Sequence, residues 1–172
     1  MLNEITRNTI RLILLLLLQV LIIKNVELGR FINPFIYVLF IISLPFETPR
    51  PLLLLLAFTI GLAVDMFYDT LGMQAAASVF MAFCRPTIFK FFAPREGYEL
   101  GMQPTIRYMG NPWFISCAAV LIFLHHLVLF YTEVFRTAEF FSTLFRVIMS
   151  SLFTLGLCIL IQYFSTRTRK IE

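Results

Sequence analysis

The order of apolar and polar positions divides the chain into six apolar segments separated by short polar breaks. The first covers about residues 9–23 and begins beside Arg7 and Arg11. The second, 31–44, stops at Pro45 and is short against the roughly 20 residues a helix needs to cross a bilayer. It contains Pro34, so it is expected to extend across a kink, to span thinly or to re-enter. The third, 52–67, follows Pro51, which suits a helix N-terminus. The fourth, 73–92, contains Arg85 and Pro86, and the proline predicts a kink. Residues 93–112 carry prolines, glycines and charges and read as a structured surface loop. The fifth segment, 113–131, has aromatic residues at both ends, where a bilayer interface favours them. A charged turn over 133–139 leads to the sixth, 140–164, and then to a basic tail with Arg167, Arg169 and Lys170. The pattern predicts an all-α integral membrane protein, a single six-helix transmembrane bundle over 1–172.

Composition agrees. The chain has 172 residues, of which 59% are hydrophobic and 14% charged, and its mean hydropathy is +0.85. Soluble domains are nearer 25% charged, and no polar stretch here is long enough to build a separate core. The basic start before the first apolar run raises a signal peptide. Lys24-Asn25-Val26-Glu27 follows it in place of a small-residue cleavage site, so the segment is expected to be retained. The net charge of +4 comes from basic residues at membrane edges and is not a nucleic-acid signal. With the N-terminus inside, the inner segments hold Arg7, Arg11, Arg50, Lys90, Arg95, Arg107, Arg167, Arg169 and Lys170, and the outer ones hold Lys24, Arg30 and Arg136. The positive-inside rule therefore predicts both termini in the cytoplasm, with the turns at Asp69 and Glu133 facing outward.

Polar residues inside the apolar segments carry whatever chemistry there is. Residues 61–77 read GLAVDMFYDTLGMQAAA, and on a helix Gly61, Asp65 and Asp69 share one face. A carboxylate such as Asp65 costs about 2.5–3.5 kcal/mol at mid-membrane and less near an interface, so its neighbours must offset that cost or use it. The fifth segment carries His125 and His126, with Glu133 seven residues beyond His126 on the same face. Together with Arg146 these residues read as an outward-facing polar cluster: Asp65, Asp69, His125, His126, Glu133 and Arg146. Its plain reading is hydrogen bonding between helices; its functional reading is ligand binding or gating. Adjacent histidines point about 100° apart on a helix and do not chelate one ion, so no metal or cofactor is expected. In the sixth segment Thr143, Arg146, Ser150, Thr154, Cys158 and Gln162 form one stripe. Small and hydroxyl residues so spaced mark helix contacts in a bilayer, either in a packed bundle interior or at a partner interface, for which Thr143, Ser150 and Thr154 are the candidates. Arg146 is expected to pair with Asp65, Asp69 or Glu133. Arg85 is expected to snorkel to the edge near Lys90, with an internal role as the alternative. Cys84, Cys117 and Cys158 lack CxxC spacing and read as packing thiols. No catalytic motif of the soluble enzymes occurs, and none is expected to act here.

The run Gly61-Leu62-Ala63-Val64-Asp65, Leu71-Gly72 and Ala75-Ala76-Ala77 resembles the GLxxD…LGxxA region of the MreD family of rod shape-determining proteins. Phe83-Cys84-Arg85-Pro86, Pro94-Arg95-Glu96-Gly97-Tyr98-Glu99 and His125-His126…Phe130…Glu133-Val134-Phe135 are similar to MreD-like members of the Bacteroidota. The resemblance covers nearly the whole chain. It implies a non-enzymatic scaffold in the inner membrane, part of the machinery of peptidoglycan elongation and cell shape. The implied partners are MreC and, through it, RodA, a class B penicillin-binding transpeptidase and MreB. It also implies a fold similar to the substrate-binding S-components of energy-coupling-factor transporters. The alternative function is accordingly a small-molecule-binding membrane subunit of that kind, with the polar cluster lining its pocket. A third reading is an intramembrane enzyme using the same histidines and acids.

Overall fold

In a computed structural model of the protein, residues 2–25, 31–99, 101–134 and 140–167 are described, and among them every regular element is helical. Helix α1 (Leu2–Leu17) continues through one π-helical turn (Leu18–Ile22) and a 3-10 turn (Ile23–Asn25). Then follow α2 (Val38–Ile42), α3 (Arg50–Tyr68), α4 (Met73–Phe91), α5 (Ile106–Met109), α6 (Asn111–Val134) and α7 (Phe140–Arg167). The expected charged turn beyond 134, Arg30, Arg136, and Arg169 and Lys170 of the basic tail lie outside the described residues.

Three helices are long and apolar enough to cross a membrane: α3, α6 and residues Phe140–Ser165 of α7. Helix α4 matches α3 in length but carries Gln74, Arg85 and Lys90 and is not among them. The apolar stretch in α1, Asn8–Ile22, is shorter. Helix α3 starts with Pro49 as its N-cap and a proline in its first turn, so the missing N–H groups fall where a helix has no use for them. It ends at Asp69 (φ 55°), and α4 begins from Gly72 (φ 81°), so the connection turns tightly through two left-handed residues. Helix α4 continues on both sides of Pro86, which itself has no N–H to give to the preceding turn.

The four long helices α3, α4, α6 and α7 pack in that order, each against the next. They enclose residues 34–44, with Phe31 exposed at the start of the segment, and here the expectation of a helix over 31–44 is corrected. Only Val38–Ile42 is helical; residues 32–35 have no regular structure and 36–37 form a turn. Ile36 to Leu39, Ile41 and Ile42 are wholly buried. The segment starts beside Ser150 and Thr154 of α7, passes Ser78 of α4 and His125 of α6 at Tyr37, and ends beside Arg85 of α4 and Gln162 of α7. It thus runs lengthwise through the middle of the bundle. Irregular backbone reaches up to about 3.3–3.6 Å per residue, against 1.5 Å in a helix, so a short segment covers more of the bundle's height this way. Unwound backbone is tolerated at such depth only where protein surrounds it and supplies hydrogen bonds.

Between α4 and α6 the described residues form a loop carrying one helical turn, α5. It is held by Tyr98, which stacks on Phe46 (centroids 4.2 Å apart) and donates to the Phe89 carbonyl (2.5 Å). Gly101 N donates to Glu47 (2.8 Å).

Candidate functional site

The polar residues of the spans resolve into four local arrangements.

Asp65 lies on the last turns of α3 and is 3% exposed. Its carboxylate accepts from the backbone N–H of Gln74 (3.0 Å) and of Ala75 (2.9 Å), and from the Thr70 hydroxyl (2.5 Å). Those two N–H groups lie in the first turn of α4, where the helix leaves donors unmet and its dipole favours a negative charge. Gly72, the N-cap residue, has no side chain to do this, and Asp65 does it from the neighbouring helix. Gly61, one turn earlier, explains the geometry. A Cβ there would sit 2.5 Å from Ala75 Cα and 2.7 Å from the Gln74 carbonyl oxygen, so only glycine lets α3 approach the start of α4 closely enough. Asp69 departs from the expected cluster. It is exposed, and its left-handed backbone turns it away from Asp65.

The second arrangement centres on Tyr37. Its hydroxyl lies 3.0 Å from Gln74 Oε1, 2.9 Å from Ser78 Oγ and 2.8 Å from His125 Nε2. Tyr37, Ser78 and His125 are wholly buried. The phenol donates to Gln74, so Nε2–H of a neutral His125 donates to the phenol oxygen, and Nδ1 is an acceptor without a partner. His126 is the opposite tautomer. Its Nδ1–H donates to the Ile122 carbonyl (2.9 Å), and its Nε2 accepts from Thr154 (3.3 Å). The two rings stand 5.4 Å apart at 75°, with Phe35 packed against both. They serve different partners and do not converge on one point.

The third arrangement is a cradle for the unwound segment. Ser150 accepts from Asn33 N (3.0 Å) and donates to the Phe31 carbonyl (3.1 Å). Thr154 accepts from Phe35 N (3.2 Å). Gln19, in the π turn after α1, accepts from Ile36 N (2.7 Å) and donates to the Pro34 carbonyl (3.2 Å) and to Tyr68 Oη (2.6 Å). At the far end the Arg85 guanidinium donates to the carbonyls of Ile42 and Leu44, and Gln162 donates to Ser43 (3.2 Å).

Two open readings are decided here. The α7 stripe faces the interior of the bundle: Thr143 is 3% exposed, Ser150 and Thr154 are wholly buried, and the hydroxyls of Ser150 and Thr154 serve the chain's own segment or its histidine. Arg85 does not snorkel. It is 2% exposed, lies 4.6 Å over the Phe89 ring and closes the C-terminal end of α2.

The fourth arrangement is the ion pair of Arg146 with Glu133 (3.2 Å), one of the three pairings expected. Arg146 also lies 4.1 Å over the Phe130 ring. Both side chains are partly exposed, at 23% and 41%, so the pair is worth less than about 1 kcal/mol.

The structure thus joins His125 and His126 around Phe35, joins Glu133 to Arg146, and gives Asp65 a separate task at the α4 N-terminus. Gln19 was missed in the sequence reading. Its signal was present, a lone amide in an otherwise apolar run from 12 to 23. Among the described residues no three His, Cys, Asp or Glu side chains gather as a metal would need. No family model matches this chain, and neither a curated protein nor a solved structure does.

Proposed function

We propose that the protein is a non-enzymatic scaffold subunit of the cell-wall elongation machinery. It lies in the inner membrane with six crossings and both termini cytoplasmic, and binds the single transmembrane helix of MreC. RodA, the class B transpeptidase and MreB are reached through MreC. The reading rests on the resemblance of residues 61–77, 83–86, 94–99 and 125–135 to MreD, and one observation of the fold supports it most. The buried polar groups of Tyr37, Asp65, His126 and Thr154 are engaged with the chain's own backbone and with one another, which is the economy of a rigid support. A six-crossing count treats α1, 31–44, α3, α4, α6 and α7 as one crossing each, and the lengthwise path of 31–44 supports it.

Partner contact then falls to the outer apolar faces. Leu55 and Met66 of α3 and Leu152 and Phe164 of α7 are exposed and large. The S-component-like alternative needs a pocket at the polar cluster, whereas Tyr37, His125 and His126 are wholly buried and such a pocket would require that network to open.

The test is a gentle-detergent pulldown of the tagged protein from its native membrane, with photo-crosslinkers at Leu55 and Leu152 and with proteins and small molecules identified by mass spectrometry. Recovery of MreC, crosslinked through one of these faces, is the expected result. A stoichiometric metabolite, or an energy-coupling ATPase module in place of MreC, would overturn the proposal.

A further inference from the structure

At the end of the bundle where α3 begins and α4 ends, a cleft of about 370 Å³ opens beside the stacked rings of Phe46 and Tyr98. Three cations line it: Arg50, Arg85 and Lys90. Thr48 and Tyr98 add hydroxyl groups, and no carboxylate is among the lining residues. Glu47, close by in sequence, is bonded to Gly101 N. None of the three cations pairs with a carboxylate among the described residues.

The fold needs only part of this. Arg85 uses Nε and Nη2 on the carbonyls that end the 31–44 segment. Its Nη1 has no protein acceptor among the described residues, although the side chain is 2% exposed. A buried guanidinium without a counter-charge is costly. Closing α2 accounts for Nε and Nη2, and it gives no reason for Arg50 and Lys90 to line the same cleft. Three positive groups around one partly desolvated space lower their mutual repulsion by taking up an anion. Arginine's planar fork suits tetrahedral oxyanions, and phosphate most of all among common ones. The volume exceeds what a monatomic ion fills and falls in the range of ligand pockets.

From this geometry we propose that the cleft bounded by Arg50, Arg85 and Lys90 binds a phosphate group. Arg85 is the buried cation of the cleft, and Arg50 and Lys90 are its exposed ones. The phosphate belongs either to an anionic lipid headgroup or to a small free phosphate compound. The proposal is independent of the scaffold reading.

The full-length protein in neutral detergent is titrated with phosphatidylglycerol, with phosphatidylcholine and with inorganic phosphate, following thermal stability and native mass spectra. The same titrations are made on R50Q/K90Q, which keeps Arg85 and hence the closure of α2. Both altered residues are exposed. Phosphatidylglycerol is expected to bind and stabilise the wild type, and the double variant to weaken this about 10- to 30-fold. The single variants R50Q and K90Q, each expected to weaken it about 3- to 10-fold, serve if the double variant does not fold. Binding by phosphatidylglycerol alone assigns the phosphate to a lipid headgroup. Binding by inorganic phosphate with the same sensitivity assigns it to a free phosphate compound. Absence of binding by either, equal binding of phosphatidylcholine, or binding unchanged in the variants would overturn the proposal.

Discussion

The α3–α4 hairpin and the unwound 31–44 segment meet the same physical demand in opposite ways. Both put backbone polar groups into the apolar interior, and both need side chains to satisfy them. In the hairpin the supplier is near in sequence: Asp65 reaches N–H groups nine and ten residues downstream. In the 31–44 segment the suppliers are remote, Ser150 and Thr154 from 117 and 119 residues away and Arg85 from 41 to 43. A local device leaves a compact motif that can be read. A distributed one leaves isolated polar residues, each of which looks like a fault or a ligand site until the backbone it serves is in view.

This decides how much the sequence revealed. The helical segments at α3, α4, α6 and α7 were legible within a few residues, because apolar runs ended by Pro49-Arg50-Pro51, Leu71-Gly72 and the 93–112 loop leave little choice. The Glu133–Arg146 pair was legible as one of three options, since helix spacing sets the depth of a residue but not which neighbour it meets. The state of 31–44 was legible only in part: Asn33-Pro34 marked a break, but beyond it Phe35 to Ile42 is continuously apolar or aromatic, and periodicity does not separate a buried helix from a buried extended stretch. The roles of Ser150, Thr154 and Arg85 follow from that segment and could not precede it. Their spacing on α7 was right, but the face it marks turns toward the chain itself.

The largest expected effect comes from the local device. Asp65→Ala strands two buried N–H donors and a hydroxyl, and is expected to cost about 3 kcal/mol, seen as a fall in thermal midpoint in detergent and a lower steady-state level in the membrane. Asp65→Asn keeps one acceptor oxygen and is expected to recover part of the loss. Equal loss in both variants would mean that the charge itself, and not the acceptor geometry, holds α4.

Gly61→Ala comes next, at about 2 kcal/mol. The added Cβ meets backbone at 2.5 Å, and a backbone atom cannot step aside as a flexible side chain can. An unchanged thermal midpoint would show that α3 and α4 are free to separate, and the hairpin would then be no more rigid than the rest of the bundle.

The distributed device is expected to give smaller losses per residue. Thr154→Val keeps the shape and removes one acceptor for Phe35 N and one donor to His126, at about 1–2 kcal/mol. Ser150→Ala, which strands Asn33 N and the Phe31 carbonyl, should be similar. Both act on one stretch of backbone, so the double variant is expected to lose less than the sum, because the segment is already loosened by the first change. Strict additivity in the thermal midpoints would mean that residues 31–35 are not one cooperative unit.

The smallest effect sharpens the contrast inside the motif itself. Asp65 and Asp69 stand one turn apart and were read as one acidic face, yet Asp69 is exposed and sits in the left-handed conformation that ends α3. Asn adopts this conformation readily and Gly at no steric cost, so Asp69→Asn and Asp69→Gly are expected to change stability by less than about 0.5 kcal/mol, with Gly, if anything, on the stabilising side. The comparison that matters is with Asp65→Asn, the same chemical change four residues earlier. A clear drop for Asp65→Asn beside none for Asp69→Asn makes the cap on α4 the whole structural content of this acidic pair. Equal drops would show instead that the two carboxylates act together, which the cap alone does not explain. The hairpin would then join the 31–44 segment as a device whose parts are distributed.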